Sequence, residues 1–367
     1  MSRKNFERSN PLLKKLDKYI GIPALYILGK FHHTRPRPRN YKNIALIKTA
    51  AVGDTIILSA MITEIKMIYP KANITVICSQ NNVSMVKTLP NLDRIEVFSM
   101  KSPWQSLKRI KELGHYELVL DFGPWPRING IIAWCLQADY KVGFRRPDTH
   151  RHYIYDAKVE HSDKLHEIEN YRNILRGAGI KPQGLIPNLR TKTKLLVGNY
   201  AVLHLFPGGA MDLQRRWENE RWVDLAEKIH QQYGVKILFS GGASDNEEAQ
   251  SICAELHSRN VPAENIAGKY SLKEMASVLQ YAKVVISVNT GIMHYAAAVG
   301  VPLVAIHGAT SEVRWGPLSS RAVVVKSNPP CQPCISLGFE SNCTNPICMK
   351  NVSVAMVMDM VKKVLEV

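Results

Sequence analysis

The sequence predicts an α/β protein built from two doubly wound, Rossmann-like domains. The chain has 367 residues, which is long for one domain and sufficient for two. Short apolar runs rich in β-branched residues alternate with amphipathic windows at helical spacing, first from residue 44 and again from residue 200. Between the two series, residues 181–195 interrupt the alternation with Pro182, Gly184 and Pro187, which is typical of a linker.

Each half contains a series of predicted strands and helices. In the first half, buried strands are predicted at residues 44–48, 74–78, 95–98 and 117–121, and helices at 55–68, 128–136 and 170–179. In the second half, strands are predicted at 200–206, 235–240, 284–288 and 303–307, and helices at 220–233, 245–259, 272–281 and 290–299. A last helix at 352–367 could return to the first half. The predicted ligand cleft lies between the two halves, at the carboxyl ends of the strands.

The charge of the chain favours an anionic partner. Lys and Arg number 48 against 31 Asp and Glu, which gives a formal charge of +17. Nucleic acid, an acidic membrane surface and phosphorylated substrates all fit this balance. We find no zinc-finger spacing, no RNA-binding aromatic signature and no helix-turn-helix pattern, so we predict no nucleic-acid partner. No apolar run reaches the roughly 18 residues needed to span a bilayer.

The N-terminal 40 residues form a basic, amphipathic extension. Its basic residues precede the apolar run at 20–29, and they are Arg3, Lys4, Arg8, Lys14, Lys15 and Lys18. Pro23 interrupts this short run and no clear cleavage site follows, which argues against a signal peptide. The pattern predicts an anchor on an anionic membrane surface. The alternative is a helix that packs on the body of the protein.

The first candidate site follows the first strand, in the sequence KTAAVGDT. Gly53 allows close approach of a ligand or a positive φ angle. Asp54 lies at the mouth of the predicted cleft, where its carboxylate could act as a general base. An Asp just before a helix is also a good N-cap, so a purely structural role is the alternative.

The second candidate site follows the strand at 200–206. A Gly-rich turn (Pro207, Gly208 and Gly209) precedes Arg215 and Arg216. Exposed backbone N–H groups and guanidinium groups together suit a diphosphate. The alternative is a solvated arginine pair beside a turn.

The third and fourth candidate sites follow the strands at 235–240 and 284–288. In the third, a Gly-Gly turn leads into an acidic helix start at 245–248, where a carboxylate could accept both hydroxyls of a ribose or merely favour the helix dipole. In the fourth, Asn289 or Thr290 can cap a helix, and Gly291 lets a phosphate approach the N–H groups of its first turn. His294 lies one turn further, on a face that could meet the ligand.

Four cysteines crowd into residues 331–348. They are Cys331, Cys334, Cys343 and Cys348. A CxxC pair with two more thiols within reach fits a four-thiolate structural site for Zn or Fe. Reduced thiols or two disulfides are the alternatives. Because long α/β chains with scattered thiols are typical of the reducing cytosol, we expect a cytoplasmic location.

Together these segments resemble glycosyltransferase family 9, the ADP-heptose:lipopolysaccharide heptosyltransferases. The closest stretches are IALIKTAAVGDTIILSAMI, LHLFPGGAMDLQRRWENERWVDLAEKI, ILFSGGASDNEEA and SVNTGIMHYAAAVGVPLVAIHGAT. The resemblance runs from about Tyr41 to the C-terminus. It implies a GT-B fold, with an acceptor-binding domain at 41–185, a nucleotide-sugar-binding domain at 196–350 and a C-terminal helix at 351–367.

The resemblance also implies roles for particular residues in an inverting transfer. Asp54 corresponds to the family's catalytic base and Arg215 to its phosphate-binding Lys or Arg. The acidic helix start corresponds to the ribose site, where we select Glu247. Asn289 stands where the family usually has Asp, which removes a charge beside the sugar or nucleotide. Some family members carry a similar cysteine group, and in some autotransporter heptosyltransferases it binds iron.

The sequence thus predicts a peripheral enzyme at the inner face of the bacterial inner membrane. It would move heptose or a related sugar from an ADP-activated donor to a lipopolysaccharide core or another phosphorylated envelope glycan. No catalytic cofactor is expected, because no DxD triplet is present to hold a metal at the donor phosphates. The alternatives are another nucleotide-sugar donor, a protein acceptor, a nucleotide-sugar epimerase or hydrolase, and an inactive membrane-docked binding subunit. No G-x-G-x-x-G follows the first strand, which argues against a nicotinamide dehydrogenase.

Overall fold

The computed structural model divides into two compact units, the first ending at Leu185 and the second beginning at Ile186. The structure describes residues 11–147, 149–209, 211–336, 341 and 343–366. The basic residues Arg3, Lys4 and Arg8 therefore lie outside the described residues. Among the described helices, none combines the length and the apolar character needed to cross a bilayer.

The first unit is a six-stranded parallel sheet with helices between the strands. Its strands are β1 (Asn43–Ile47), β2 (Asn73–Ser79), β3 (Arg94–Phe98), β4 (His115–Asp121), β5 (Gln137–Arg145) and β6 (Ala157–Glu160). Its helices are α1 (Pro11–Tyr19), α2 (Gly21–Lys30), α3 (Val52–Ile68), α4 (Val83–Val86), α5 (Pro103–Lys111), α6 (Arg127–Cys135) and α7 (Glu167–Gly177).

The second unit repeats this plan. Its strands are β7 (Tyr200–His204), β8 (Lys236–Ser240), β9 (Ala263–Asn265), β10 (Val285–Val288), β11 (Leu303–Ile306) and β12 (Ala322–Val325). Its helices are α8 (Asn219–Tyr233), α9 (Asn246–Ser258), α10 (Leu272–Gln280), α11 (Gly291–Val299), α12 (Glu312–Trp315), α13 (Ile347–Lys350) and α14 (Val354–Leu365).

The two sheets have the same doubly wound strand order. The first runs β3-β2-β1-β4-β5-β6 and the second runs β12-β11-β10-β7-β8-β9, so each unit's first strand lies between its second and its fourth. The direction of winding reverses beside that first strand. In open α/β sheets, ligands bind at the carboxyl edge next to such a reversal. The sequence prediction of two Rossmann-like α/β domains is thus confirmed.

The central strands form the buried core of each unit. Every residue of β7, β10 and β11 is buried, which explains their uninterrupted apolar sequence. The N-terminal helix α2 buries Gly21 and Leu25 against the first unit, so the alternative of packing on the protein's own body is correct for one face of the extension.

Three details differ from the sequence prediction. The strands β5, β6, β9 and β12 were not predicted, and all but β5 are at most four residues long and lie at a sheet edge. The C-terminal helix α14 does not follow the suggestion of a return to the first half, because Val357, Val361 and Val364 are buried in the core of the second unit. Gly53 lies inside α3, so the positive φ angle suggested for it is wrong.

Candidate active site

Asp54 lies in the first turn of α3, directly after the loop that leaves β1. The N-cap position of this helix is occupied by Ala51, which has no capping side chain. The structure therefore contradicts the alternative in which Asp54 serves as the N-cap. Its side chain is 19% exposed, which is enough for a ligand hydroxyl to reach the carboxylate.

Two side chains hold one oxygen of the Asp54 carboxylate. The buried Lys48 ammonium donates to Oδ1 at 2.7 Å, and the Tyr171 hydroxyl donates to the same atom at 3.2 Å. Lys48 also donates to the Phe122 carbonyl at 3.1 Å, which ties the loop to the end of β4. Within the described part of the chain, Oδ2 has no hydrogen-bond donor, so this oxygen is available to accept a proton.

Neither Lys48 nor Tyr171 was predicted from the sequence to have a role at the site. A charged residue at the end of an apolar strand run is a signal that could have identified Lys48, because a buried charge requires a partner. Tyr171 lies 117 residues from Asp54 in sequence, and nothing local marks it. The loop is further braced by Asn82, whose amide donates to the Lys48 carbonyl and to the Thr55 hydroxyl, both at 2.9 Å.

The other three candidate loops converge within the second unit. They follow β10, β7 and β8, which are neighbours in the sheet. Because parallel strands present their carboxyl ends at one edge, the three loops lie side by side there. The fold thus brings together residues that the sequence places between 207 and 294.

Arg215 connects two of these loops. Its guanidinium donates to the Gly208 carbonyl at 2.6 Å and to the Asn289 carbonyl at 3.1 Å. Gly208 and Gly209 have φ angles of 63° and 80°, a region that favours glycine. Pro207 is buried beneath them while both glycines are exposed. The Arg215 guanidinium is therefore held beside the exposed backbone of Gly208 and Gly209, an arrangement suited to binding phosphate oxygens.

Arg216 pairs with the carboxylate of Glu248. Its Nη1 lies 2.8 Å from both carboxylate oxygens of Glu248. Partial burial alone would raise the pKa of Glu248, but the hydrogen bonds from Arg216 and Asn219 outweigh it and hold that pKa below its usual range. The sequence prediction placed Arg216 on the donor diphosphate, whereas its observed partner is Glu248.

The three acidic residues at the third loop have different surroundings. Asp245 accepts a hydrogen bond from the Gly242 backbone at 2.7 Å, and Glu248 is held by Arg216. Glu247 is exposed in the first turn of α9, and its side chain makes no hydrogen bond within the residues that the structure describes. Of these acids, Glu247 is the one available to a ligand hydroxyl.

The start of α11 is capped by Thr290. Its hydroxyl accepts from the backbone N–H groups of Ile292 at 3.1 Å and of Met293 at 3.4 Å, and Gly291 is the first helical residue. Of the two cap candidates, Thr290 is therefore the cap. His294 is buried one turn into the helix, and its contact with the ligand stays a prediction.

Asn289 faces inward. Its side-chain amide donates to the Thr310 hydroxyl at 2.9 Å and lies 3.2 Å from Nδ1 of His307. Burial lowers the pKa of His307 to about 4, so its imidazole is neutral at pH 7 and can accept from an amide. The side chain of Asn289 thus connects the loop to Thr310 and His307, while its backbone carbonyl accepts a hydrogen bond from Arg215.

The four C-terminal cysteines form no recognisable metal-binding group within the part of the chain that the structure describes. All seven cysteines of the chain are free, and among the described residues no three His, Cys, Asp or Glu side chains converge as a metal requires. Cys348 is buried in the core of the second unit, whereas Cys331 is exposed. Burial, with some contribution from the neighbouring thiols of Cys334, Cys331 and Cys343, raises the pKa of Cys348 to about 11. The Zn or Fe site at these cysteines stays a prediction.

Two doubly wound domains, with an anchored carboxylate in one and three glycine-containing loops at a strand edge in the other, are typical of the GT-B class of glycosyltransferases. Residues 110–343 match the family model of glycosyltransferase family 9 (heptosyltransferase). Because this match covers more than half of the chain, the chain belongs to glycosyltransferase family 9.

Individual proteins and structures agree with this membership. Lipooligosaccharide heptosyltransferase 2 of Campylobacter jejuni is 25% identical over 326 residues, which cover 86% of this chain and 96% of that protein. The solved family 9 glycosyltransferase of Veillonella parvula has a TM-score of 0.73 at 18% identity, covering 91% of this chain and 99% of that one. The solved ADP-heptose LPS heptosyltransferase II of E. coli has a TM-score of 0.71 at 19% identity, covering 88% and 98%.

Proposed function

We propose that this glycosyltransferase moves a heptose from ADP-heptose to a lipopolysaccharide core with inversion at the anomeric carbon. The observation that carries the chemistry is the geometry of Asp54, whose Oδ1 is fixed by Lys48 while Oδ2 is open. Names of relatives support the sugar and the acceptor: the C. jejuni protein is a lipooligosaccharide heptosyltransferase, and the E. coli structure is that of an ADP-heptose enzyme.

Asp54 acts as the general base in this proposal. The acceptor hydroxyl gives its proton to the carboxylate while its oxygen bonds to the anomeric carbon. The bond between that carbon and the donor diphosphate breaks, and the nucleoside diphosphate leaves with the bonding electron pair. One direct displacement of this kind inverts the configuration. Lys48 and Tyr171 keep the carboxylate in a fixed orientation.

The second unit binds the donor. Arg215 and the N-terminus of α11 at Thr290 and Gly291 stabilise the charge that develops on the departing diphosphate, without a metal ion at the phosphates. The backbone of Gly208 and Gly209 approaches the phosphates, and Glu247 accepts the ribose hydroxyls. Arg216 contributes indirectly, through its pair with Glu248 at the same loop edge.

The acceptor is a phosphorylated glycolipid, and the enzyme works at the inner face of the bacterial inner membrane. The excess of Lys and Arg over Asp and Glu supports this part of the proposal, because it favours anionic lipids and phosphorylated sugars.

A thermal-shift panel tests the donor. ADP-heptose at a hundredfold excess over its Kd would add about 2.7 kcal/mol to the free energy of unfolding. We expect ADP-heptose to raise the melting temperature above the value with ADP, and Arg215→Ala to remove most of that rise. An equal or larger rise with a UDP- or GDP-sugar would refute the donor assignment.

Substitution of the base tests the chemistry. Asp54→Asn keeps the shape of the side chain and removes its basicity, so we expect kcat to fall about 10²- to 10⁴-fold while the thermal shift by donor persists. Asp139→Asn is the matched control, because that carboxylate pairs with His115 at the surface of the same unit. Full transfer activity in Asp54→Asn would contradict the assignment.

Product analysis separates transfer from the competing reactions. With donor alone, an epimerase or hydrolase would release or isomerise the sugar, whereas the proposed transferase needs an acceptor. An inactive binding subunit would produce no glycosylated acceptor at all, and its function would be insensitive to Asp54→Asn.

A further inference from the structure

The two N-terminal helices present an apolar surface to solvent. On α1, Tyr19 is 68% exposed and Leu16 is 43% exposed; on α2, Ile27 is 54% exposed, and Phe31 just beyond it is 68% exposed. Single exposed apolar residues are common, but a contiguous set on two successive helices is unusual. We define this set, together with Ile20, as the N-terminal helix surface.

The opposite side of the two helices is fixed to the rest of the first unit. Asp17 accepts from the backbone N–H and the guanidinium of Arg127, at 2.9 and 2.8 Å. Gly21 is packed against Arg127, and Leu25 against Gly130, so closely that a Cβ on either glycine would lie 3.0 Å from the neighbouring side chain. The spacing of these contacts, at every fourth residue, keeps one face inward and leaves the N-terminal helix surface outward.

Basic side chains border the apolar residues. Lys15, Lys18 and Lys30 are exposed, and the Lys18 ammonium lies 5.7 Å from the centre of the Tyr19 ring. Residues 11–42 contain eight Lys and Arg but only one acidic residue, Asp17, and its carboxylate is held by Arg127. The described part of this segment therefore offers no free negative charge to repel an anionic surface.

We infer that the N-terminal helix surface docks on a bilayer rich in anionic lipid. Tyr19, Ile27 and Phe31 enter the boundary between headgroups and acyl chains, where aromatic and aliphatic side chains are favoured. The flanking lysines extend along the surface and place their ammonium groups at the lipid phosphates. A protein partner with an apolar face would not by itself account for this density of positive charge.

This inference rests on the proposed function for the lipid-linked acceptor and the membrane location, and the vesicle-binding test itself uses neither donor nor acceptor. Flotation of the full chain compares vesicles of phosphatidylcholine with vesicles containing about 30% phosphatidylglycerol, at about 0.1 M salt. We expect binding to the anionic vesicles alone. Transfer activity on a soluble acceptor fragment is measured in parallel, so failure of docking and failure of the proposed reaction are distinguishable.

Two variants separate the apolar and the charged contributions. Ile27→Asn/Phe31→Ser and Lys15→Gln/Lys18→Gln/Lys30→Gln should each lower vesicle binding about tenfold or more. Because all five side chains are exposed, unchanged melting temperatures will show that both variants fold. Val197→Asn, at a position 91% exposed on the second unit, is the control and should bind as the unaltered chain does.

Three results would overturn the inference. They are equal binding to neutral and anionic vesicles, unchanged binding of Ile27→Asn/Phe31→Ser, and a dimer in sedimentation velocity that this variant converts to a monomer. The last result would make the N-terminal helix surface an interface between copies of the chain.

Discussion

Replacing Lys48 by Met tests whether the ion pair at the candidate base is structural as well as catalytic. The ammonium is buried and donates to Asp54 at 2.7 Å and to the Phe122 carbonyl at 3.1 Å. A hydrogen bond to a charged group contributes about 1.5–3 kcal/mol net. Because Asp54 is 19% exposed, water can replace part of the lost interaction, and we expect a loss near 2 kcal/mol.

The assay is thermal and denaturant unfolding combined with transfer kinetics. A loss of about 2 kcal/mol corresponds to a fall in melting temperature of roughly 4–8 °C for a domain of this size. In a double-mutant cycle with Asp54→Asn, we expect a coupling energy of about 1–2 kcal/mol. We also expect Lys48→Met to lower kcat about tenfold, although Asp54 is still present, because its carboxylate is then held by Tyr171 alone.

Lys66→Met provides the matched control. Lys66 lies on α3, the helix that carries Asp54, and it pairs with Asp93 at 3.0 Å. The side chains of Lys66 and Asp93 are 20% and 43% exposed. Exposed pairs contribute about 0–1 kcal/mol, so this variant should change stability little. A coupling energy near zero for Lys48 and Asp54, or equal effects of the two lysine variants, would refute the reasoning.

Three further predictions concern the second unit's histidines and the packing of the first sheet. Burial lowers the pKa of His204 and of His307 to about 4 from the ordinary 6.5, so the stability that depends on their neutral imidazoles is complete above about pH 6.5 and is lost as the pH falls toward 4. At about 1.4 kcal/mol per pKa unit, each histidine accounts for roughly 3 kcal/mol of the free energy of unfolding. That free energy should therefore fall between pH 7 and pH 4, and His204→Gln and His307→Gln should each reduce the fall. Asn289→Asp places a carboxylate beside His307 and should raise the pKa of that imidazole, which histidine NMR titration measures; an unchanged pKa would contradict the contact. Gly143→Ala would drive a methyl group into the Tyr155 ring and should cost about 1–3 kcal/mol by denaturant titration, whereas Gly114→Ala, with no neighbour within 4 Å but a positive φ angle, isolates backbone strain alone.

Much of the fold follows from local sequence pattern. The central strands β1, β7, β10 and β11 are buried on both faces, so their sequences are almost continuously apolar and their positions could be predicted within one or two residues. Of the strands that were missed, β12 is only half-buried along most of its length and β6 alternates half-buried with exposed positions. Such short segments lack the apolar signal, since only pairing with a neighbouring strand defines them.

The candidate site likewise has features that the local sequence predicts and contacts that it does not. The four loops were identified because glycines, acidic residues and a helix cap recur after predicted strands, and these are local features. The partners of each side chain were not predicted, since Arg216 meets Glu248 and Asn289 meets His307 across stretches of intervening chain. For Asp54, the position after the first strand was predicted from the sequence, whereas its partners Lys48 and Tyr171 were not.

The sequence by itself determined the α/β class, the order of the central elements and the position of Asp54 after the first strand, because each depends on periodicity or on neighbours along the chain. Only the tertiary structure decided that Lys48 and Tyr171 hold this carboxylate and that Arg216 is paired with Glu248. Such contacts form between segments distant in sequence, and their geometry depends on the packing of the whole domain rather than on any local pattern.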